Sequence, residues 1–245
     1  MYMKKKSLLS SLLVLLTIFS FSFAGKINSP ESTTTNIFPN TIIANIKTTV
    51  FDSLNLEALG LNRLVFERAL QGYNQLLESG KLKNISALSI VDFSLPSTAK
   101  RLFIVDLNNC KLLFNTYVSH GRNSGLQNAS SFSNEPESFK SSLGFYTTES
   151  TYTGKHGYSL QLQGLEKGIN DNAMSRGIVM HAADYVDEAV VKSQGRLGRS
   201  LGCPAIPEKL RNAIIGTISN GSCLFIYAND NSYLKQSSFL QSTKS

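Results

Sequence analysis

The chain has 245 residues and a formal net charge of +7, and this length suits one large or two small domains. Hydrophobic residues make up 42% of the chain and charged residues 17%, which excludes an intrinsically disordered protein, while only three cysteines exclude a disulfide scaffold. Three of the positive charges lie in residues 1–24, so the remainder carries +4, too little to indicate a nucleic-acid partner.

Residues 1–24 have the pattern of a secretory signal peptide. Lys4-Lys5-Lys6 precede an apolar stretch at residues 8–23, and the small residues Ser22 and Ala24 predict cleavage after Ala24. The alternative is an uncleaved membrane anchor, but about 16 apolar residues are short for a bilayer that needs roughly 20. We therefore expect an exported protein of the periplasm or cell envelope, which contacts the membrane only through this segment if cleavage fails.

The next part of the chain divides into a linker or arm, residues 25–50, and an N-terminal helical segment, residues 51–84. In the helical segment apolar residues recur at steps of three and four, which predicts a helix that buries one face and ends near Gly80. The stripe consists of Leu61, Leu64, Val65, Ala69, Tyr73, Leu76 and Leu77.

From residue 85 the hydrophobic period shifts towards two, which predicts a mainly β domain over residues 85–228. Asn108-Asn109 separates two of the strands and is typical of a hairpin turn. Residues 229–245 are polar, and we expect this tail to be frayed. The predicted strands are Ile85–Phe93, Leu102–Leu107, Lys111–Val118, Leu143–Thr147, Tyr158–Leu162, Gly177–His181 and Cys223–Tyr227.

Cys203 is the candidate nucleophile of the chain. It follows Gly202 in a loop of small residues, where successive backbone N–H groups can point at one developing oxyanion. A thiol attacks only as the thiolate, so a neighbouring base or cation is needed. His181, at the end of an apolar strand, is the best candidate base. The alternative is an inert buried thiol and a structural histidine.

The residue pattern leaves open a metal site, a disulfide and the role of two arginines. A scattered three-histidine metal site lacks the usual ligand spacing, so we expect no metal or other cofactor. Cys110 and Cys223 lie on candidate strands, either as a disulfide or as two separate thiols. Arg196 and Arg199 either bind a substrate carboxylate or are solvated loop residues.

His181 followed by Ser200-Leu201-Gly202-Cys203 resembles the signature of the YkuD-type L,D-transpeptidases. Other segments, in the same order, are similar to the murein L,D-transpeptidase catalytic-domain subfamily, and the resemblance covers roughly residues 60–228. These segments are residues 119–125, 132–134, 141–144, 152–160, 164–166, 170–173, 176–181 and 183–186.

The resemblance implies a YkuD-like β-sandwich fold and acyl transfer on peptidoglycan. Cys203 would attack the carbonyl between the L- and D-centres of a tetrapeptide stem, release D-Ala and pass the acyl group to an amine of a second stem. His181 carries over as general base and acid, and the N–H groups of Gly202 and Cys203 as the oxyanion hole. Ser200 carries over as the residue that shapes the loop or orients His181.

The sequence departs from many relatives at two positions, since Leu201 stands in place of a histidine and Ala205 in place of an arginine or asparagine. Another residue must then supply the cation that binds substrate. The candidates are Arg199, Arg196, Arg122 and Arg176, while His120 and His156 either line the cleft or are structural.

The expected partners are peptidoglycan stem peptides and, as an inhibitor, a carbapenem. The alternative functions are an L,D-carboxypeptidase, which hydrolyses the same intermediate, and a non-catalytic wall-binding protein.

Overall fold

The computed structural model describes residues 50–241, and this part of the chain is mainly β, as the sequence predicts. The predicted signal segment and almost all of the predicted linker lie outside the described residues. The strands are β1 (Ala87–Asp92), β2 (Leu102–Asp106), β3 (Lys111–Thr116), β4 (Gly144–Gly154), β5 (Gly157–Gly164), β6 (Val179–Ala183), β7 (Ala205–Pro207) and β8 (Cys223–Tyr227). The helices are α1 (Arg63–Glu78), α2 (Glu188–Gln194), α3 (Arg211–Ile218) and α4 (Asn231–Gln236), with short 3-10 helices at Arg122–Ser124 and Glu208–Leu210.

The eight strands lie in one sheet, in the order β3-β2-β1-β8-β4-β5-β6-β7. The pairs β1–β8 and β6–β7 are parallel, and the other neighbours are antiparallel. The predicted hairpin turn is confirmed, because Asp106 pairs with Lys111 across it. The carboxylate of Asp106 fixes the turn by accepting the N–H groups of Asn108 and Asn109 at 3.0 and 2.9 Å.

The chain that follows β3 joins the two ends of this sheet. Ser119 forms an isolated antiparallel bridge with Ala205 of β7, and Gly121 forms a parallel bridge with Ser200. The N–H of Ser119 donates to the carbonyl of Ala205 at 2.8 Å, and the N–H of Ser200 donates to that of His120 at 3.0 Å. These bonds fix the loop that leads into β7. One side of β7 pairs with β6, and the other side contacts the segment after β3.

Helix α1 covers β1 and β8. Its first turn is capped by Asn62, whose Oδ1 accepts the N–H of Leu64 at 2.8 Å. The predicted stripe is largely buried, but Leu64 is half exposed because the buried face is rotated towards Phe66 and Leu70. A Cβ at Gly72 would lie only 2.2 Å from the Phe145 ring, so this glycine sets how closely α1 approaches the sheet.

The described part of the C-terminal tail, residues 229–241, is ordered, contrary to expectation, because residues 231–236 form α4. Tyr233 and Phe239 are buried in the core, which the polar composition of the tail conceals. The carboxylate of the buried Glu166 accepts the hydroxyl of Tyr233 at 3.2 Å and also that of Ser237. This carboxylate therefore ties the tail to the domain.

The sequence prediction missed β7, α2 and α3. The three-residue strand β7 is too short to show a period, and α2 has no buried face. Between residues 50 and 241 the structure contains no helix with the length and apolar character that crossing a bilayer requires.

Candidate active site

Cys203 lies in the loop that leads into β7, beside the start of β6. Its Sγ accepts the N–H of Val179 at 3.5 Å, and the thiol donates to the carbonyl of Gly177 at 3.8 Å. The side chain is only partly buried. A thiol is therefore held against a fixed strand and still reaches the surface.

The register of β6 and β7 places His181 near this thiol. His181 pairs with Ala205, so the backward extension of β7 puts Cys203 opposite Val179. Residues two apart on a strand share one face, at a spacing of about 7 Å along the strand. The thiol is therefore held against the backbone edge of β6, about two residues before His181 along the strand. In the described part of the chain, no hydrogen bond joins Sγ to the ring of His181.

The hydrogen bonding of His181 determines which ring nitrogen is free. The side chain is only 4% exposed, and Nδ1 lies 2.9 Å from the carbonyl oxygen of Ala182. Since a carbonyl only accepts, Nδ1 carries the proton and Nε2 keeps its lone pair. Burial lowers the pKa of His181, and the neighbouring His156 lowers it further, against the opposing effect of the Ala182 bond. His181 is therefore neutral near pH 7 and able to accept a proton.

The pKa of Cys203 is shifted in the opposite direction. Burial raises the pKa of the thiol, while the N–H of Val179 and the positive charge of Arg176 oppose the rise. The resting side chain is consequently a protonated thiol. It needs a base to become a nucleophile, and the neutral His181 is suited to this role.

Ser200 and Ser141 determine the shape of the loop around Cys203. The hydroxyl of Ser200 accepts the N–H of Gly202 at 3.1 Å and donates to the carbonyl of Cys203 at 2.6 Å. The hydroxyl of Ser141 donates to the carbonyl of Gly202 at 3.0 Å and accepts the N–H of Gly121 at 3.0 Å. Four hydrogen bonds through two hydroxyls thus fix the backbone next to the thiol.

Gly202 is required at its position for two reasons. Its φ is +127°, in the region that favours glycine. A Cβ at this position would lie 2.9 Å from the carbonyl oxygen of Lys140 and 3.0 Å from Cδ1 of Ile178. No larger residue fits without moving the loop that carries Cys203.

Both N–H groups of the predicted oxyanion hole have a partner in the resting structure. The N–H of Gly202 already donates to Ser200, so it is occupied in the resting state. The N–H of Cys203 has no protein partner other than its own sulfur in the described chain, and it favours the thiolate. A role for Gly202 as an oxyanion donor therefore requires that its bond to Ser200 opens.

Arg176 is the predicted arginine whose charge acts on the thiol. Its guanidinium donates to the carbonyls of Ser133 and Lys140 at 2.9 and 2.7 Å, and to the hydroxyls of Ser138 and Ser142. Within residues 50–241 it forms no salt bridge, although the charge of Glu135 also acts on it, and its positive charge favours the thiolate of Cys203. The sequence could not separate this arginine from the other three.

The remaining predicted arginines are engaged elsewhere. The guanidinium of Arg122 stacks over the ring of Phe139 at 4.3 Å. Arg196 donates to the carbonyl of Leu197 at 3.0 Å, and Arg199 donates to those of Arg122 and Gly125 at 2.9 and 3.1 Å. In these positions Arg196 and Arg199 stabilise the loop backbone.

His120 and His156 occupy different environments. His120 is fully buried, and its Nδ1 accepts from Arg101 at 2.7 Å while Nε2 donates to the carbonyl of Gly125 at 3.2 Å. Burial and Arg101 lower the pKa of His120 to about 4, and no surface of it faces a cleft. His156 is exposed at the β4–β5 turn and stacks on His181, with ring centroids 4.5 Å apart.

Sequence reasoning gave no individual role to Ser141 or Tyr185, although both lie in the segments that carry the family resemblance. Tyr185 packs against Gly198, where a Cβ would lie 2.4 Å from the Cβ of the tyrosine. Burial raises the pKa of Tyr185 to about 12, and the nearby Cys203 contributes to the rise. Serine and tyrosine in a polar segment give no periodic signal, so only the fold shows these contacts.

Cys110 and Cys223 do not form a disulfide in the structure. Cys110 lies in the β2–β3 turn and Cys223 is buried in β8, and both are free thiols, as is Cys203. Among residues 50–241 there is no cluster of three histidine, cysteine, aspartate or glutamate side chains arranged to hold a metal ion.

Comparison with known proteins gives a family match over most of the chain. The model of the L,D-transpeptidase catalytic domain matches residues 57–227. No curated protein sequence gives a significant match.

Three solved structures are similar at low identity. An L,D-transpeptidase from Mycobacterium smegmatis is 16% identical with a TM-score of 0.35, covering 58% of this chain and 59% of that one. The LD transpeptidase LdtMt1 in complex with imipenem is 12% identical with a TM-score of 0.36, and the covered shares are again 58% and 59%. The helical cell shape determining protein Pgp2 from Campylobacter jejuni is 14% identical with a TM-score of 0.39, covering 67% of this chain and 57% of that one. The chain therefore spans less than two thirds of the length of these three proteins.

Proposed function

The chain belongs to the family of L,D-transpeptidase catalytic domains, and we propose that it is an exported enzyme that cross-links peptidoglycan stem peptides through a thioacyl intermediate on Cys203. One observation carries the proposal. A partly exposed thiol is fixed against the backbone of Val179 in β6, and a neutral histidine stands two residues further along the same strand.

The protonation states of the two residues support the first chemical step. Nε2 of His181 accepts the thiol proton, and the sulfur attacks the carbonyl between the L- and D-centres of the donor stem. The N–H of Cys203, which contacts its own sulfur in the resting state, donates to the developing oxyanion, and the positive Arg176 stabilises the thiolate. His181 then returns the proton to the amine of the departing D-Ala.

The second step transfers the acyl group to an amine of another stem. The amine attacks the thioester carbon, the C–S bond breaks and the thiol is restored. Hydrolysis uses the same residues with water in place of the amine, and it would give a tripeptide instead of a dimer.

The decisive experiment incubates residues 25–245 with purified tetrapeptide muropeptides and weighs the products by mass spectrometry. We expect a dimer lighter by one D-Ala, which Cys203→Ala abolishes and His181→Ala reduces about 10²–10⁴-fold. Cys110→Ser is the matched control, because it removes another free, partly buried thiol. Tripeptide alone would replace transpeptidation by carboxypeptidation, and full activity of Cys203→Ala would refute the proposed nucleophile.

Two further elements of the proposal have their own measurements. Residues 1–24 direct export and are removed, so the protein recovered from the cell envelope should begin at Gly25. A carbapenem acylates Cys203, so intact mass should increase by one drug molecule in the wild type and stay unchanged in Cys203→Ala.

A further inference from the structure

Arg101, immediately before β2, is a fully buried arginine. Within residues 50–241 it forms no salt bridge, although the charge of Asp92 acts on it. Its guanidinium donates instead to the carbonyls of Val118 and Leu95 at 3.0 and 2.9 Å, and to Nδ1 of His120 at 2.7 Å. Burial lowers the pKa of Arg101 to about 9, so the group stays charged near pH 7. Since burying a charge costs free energy, packing alone does not account for this side chain.

The bond from Arg101 fixes the tautomer of His120. An arginine side chain only donates, so Nδ1 of the imidazole accepts and Nε2 carries the proton. Nε2 donates to the carbonyl of Gly125 at 3.2 Å, and Arg199 donates to the same carbonyl at 3.1 Å. Burial and the charge of Arg101 lower the pKa of His120 to about 4, so the ring keeps this tautomer near pH 7. The imidazole therefore joins the start of β2 to the 3-10 turn that ends at Gly125.

The backbone of the same segment holds the loop that carries the nucleophile. The N–H of Ser200 donates to the carbonyl of His120 at 3.0 Å, and the N–H of Arg122 donates to the carbonyl of Ser200 at 2.8 Å. The hydroxyl of Ser200 then donates to the carbonyl of Cys203 at 2.6 Å. The position of His120 thus determines the position of Cys203 through a short chain of hydrogen bonds.

We infer that Arg101 and His120 are positioning residues for the reaction at Cys203. The buried guanidinium holds the imidazole, and the segment that carries the imidazole holds the nucleophile loop through Ser200. Both side chains are fully buried, so neither touches substrate. The inference rests on the proposed function and extends it from the residues at the thiol to two residues in the interior.

The test compares the wild type with Arg101→Met, which removes all three donors at once. Steady-state release of D-Ala gives kcat and KM, and NMR gives the hydrogen-exchange rate of the Ser200 amide. We expect kcat to fall about 10²-fold, as for a displacement of about 1 Å at the reacting atoms, while KM stays within about two-fold. The Ser200 amide should exchange about five-fold faster, as for the loss of one hydrogen bond.

Two further variants separate positioning from stability. Leu76→Ala opens a cavity under α1 and also destabilises the domain, but its kcat and its Ser200 exchange should stay within about two-fold of the wild type. His120→Asn keeps an acceptor for Arg101 but is too short to donate to Gly125, so it should show the same two changes as Arg101→Met. It also decides the matter if Arg101→Met does not fold. All rates are measured at a temperature at which each variant is folded.

Values of kcat and of Ser200 exchange that match those of Leu76→Ala would show a merely structural pair and overturn the inference. Either change without the other would overturn it as well, because the loop and the rate must move together. Failure of the proposed function has a different signature, since the wild type would then release no D-Ala whatever the exchange at Ser200 shows, and the inference would fall with it.

Discussion

Replacing Ser200 by alanine tests whether one buried hydroxyl holds the nucleophile loop in place. Ser200 is 4% exposed, and its hydroxyl joins the N–H of Gly202 to the carbonyl of Cys203. A buried polar group that loses its partner costs about 1–3 kcal/mol. The N–H of Gly202 pays this cost in full, whereas the carbonyl of the partly exposed Cys203 regains a bond from water. We therefore expect Ser200→Ala to lower the free energy of unfolding by about 2 kcal/mol.

Thermal unfolding followed by circular dichroism measures this loss. In a domain of this size 1 kcal/mol corresponds to about 2–4 °C, so the Tm should fall by about 4–8 °C. The rate at which iodoacetamide alkylates Cys203, resolved from Cys110 by peptide mapping, reports the loop position without relying on any assumed function. Ser200→Thr keeps the hydroxyl and should lose less than half as much stability. An unchanged Tm together with an unchanged alkylation rate in Ser200→Ala would refute the role of the hydroxyl.

Three other predictions concern protonation and the interior. His156→Phe keeps the ring stack on His181 but removes a like charge that lowers the pKa of His181. The acid limb of D-Ala release, which lies below pH 6.5 in the wild type, should move to higher pH, and an unmoved limb would exclude the contact. Because burial raises the pKa of Cys203, its alkylation in the His181→Ala variant should still be accelerating above pH 9, and a plateau below that pH would contradict the shift. Arg101→Met removes a buried guanidinium that donates to two carbonyls and to His120, and each acceptor left without a donor costs about 1–3 kcal/mol. The domain should lose at least about 3 kcal/mol in a urea titration, whereas a loss below about 1 kcal/mol would show that water replaces those bonds.

Much of the fold follows from local pattern. The strand predicted at Cys223–Tyr227 has the bounds that the structure shows, and the hairpin at Asn108-Asn109 forms as its turn residues indicate. Neighbouring residues determine these elements. A short apolar run between turn residues indicates a buried strand, and turn-forming residues between two such runs indicate a hairpin. The tail and β7 were misjudged because each depends on contacts with distant parts of the chain.

The candidate site divides in the same way. The residue types in the segment from Ser200 to Cys203, together with His181, already indicate a thiol nucleophile and a base. The sequence could not rank four arginines, and it left open whether His120 lines the cleft or is structural. The fold separates them, since Arg176 reaches the thiol whereas Arg101 holds His120 in the interior.

By itself the sequence determined which side chains are available for chemistry and the strands on which several of them lie. Only the tertiary structure decided which of these side chains meet. The register of β6 against β7 places His181 two residues beyond the position opposite Cys203, and the bridges at Ser119 and Gly121 fix the loop that carries Cys203. Both depend on hydrogen bonds between residues far apart in the chain, and such pairings leave no periodic trace in the residues that make them.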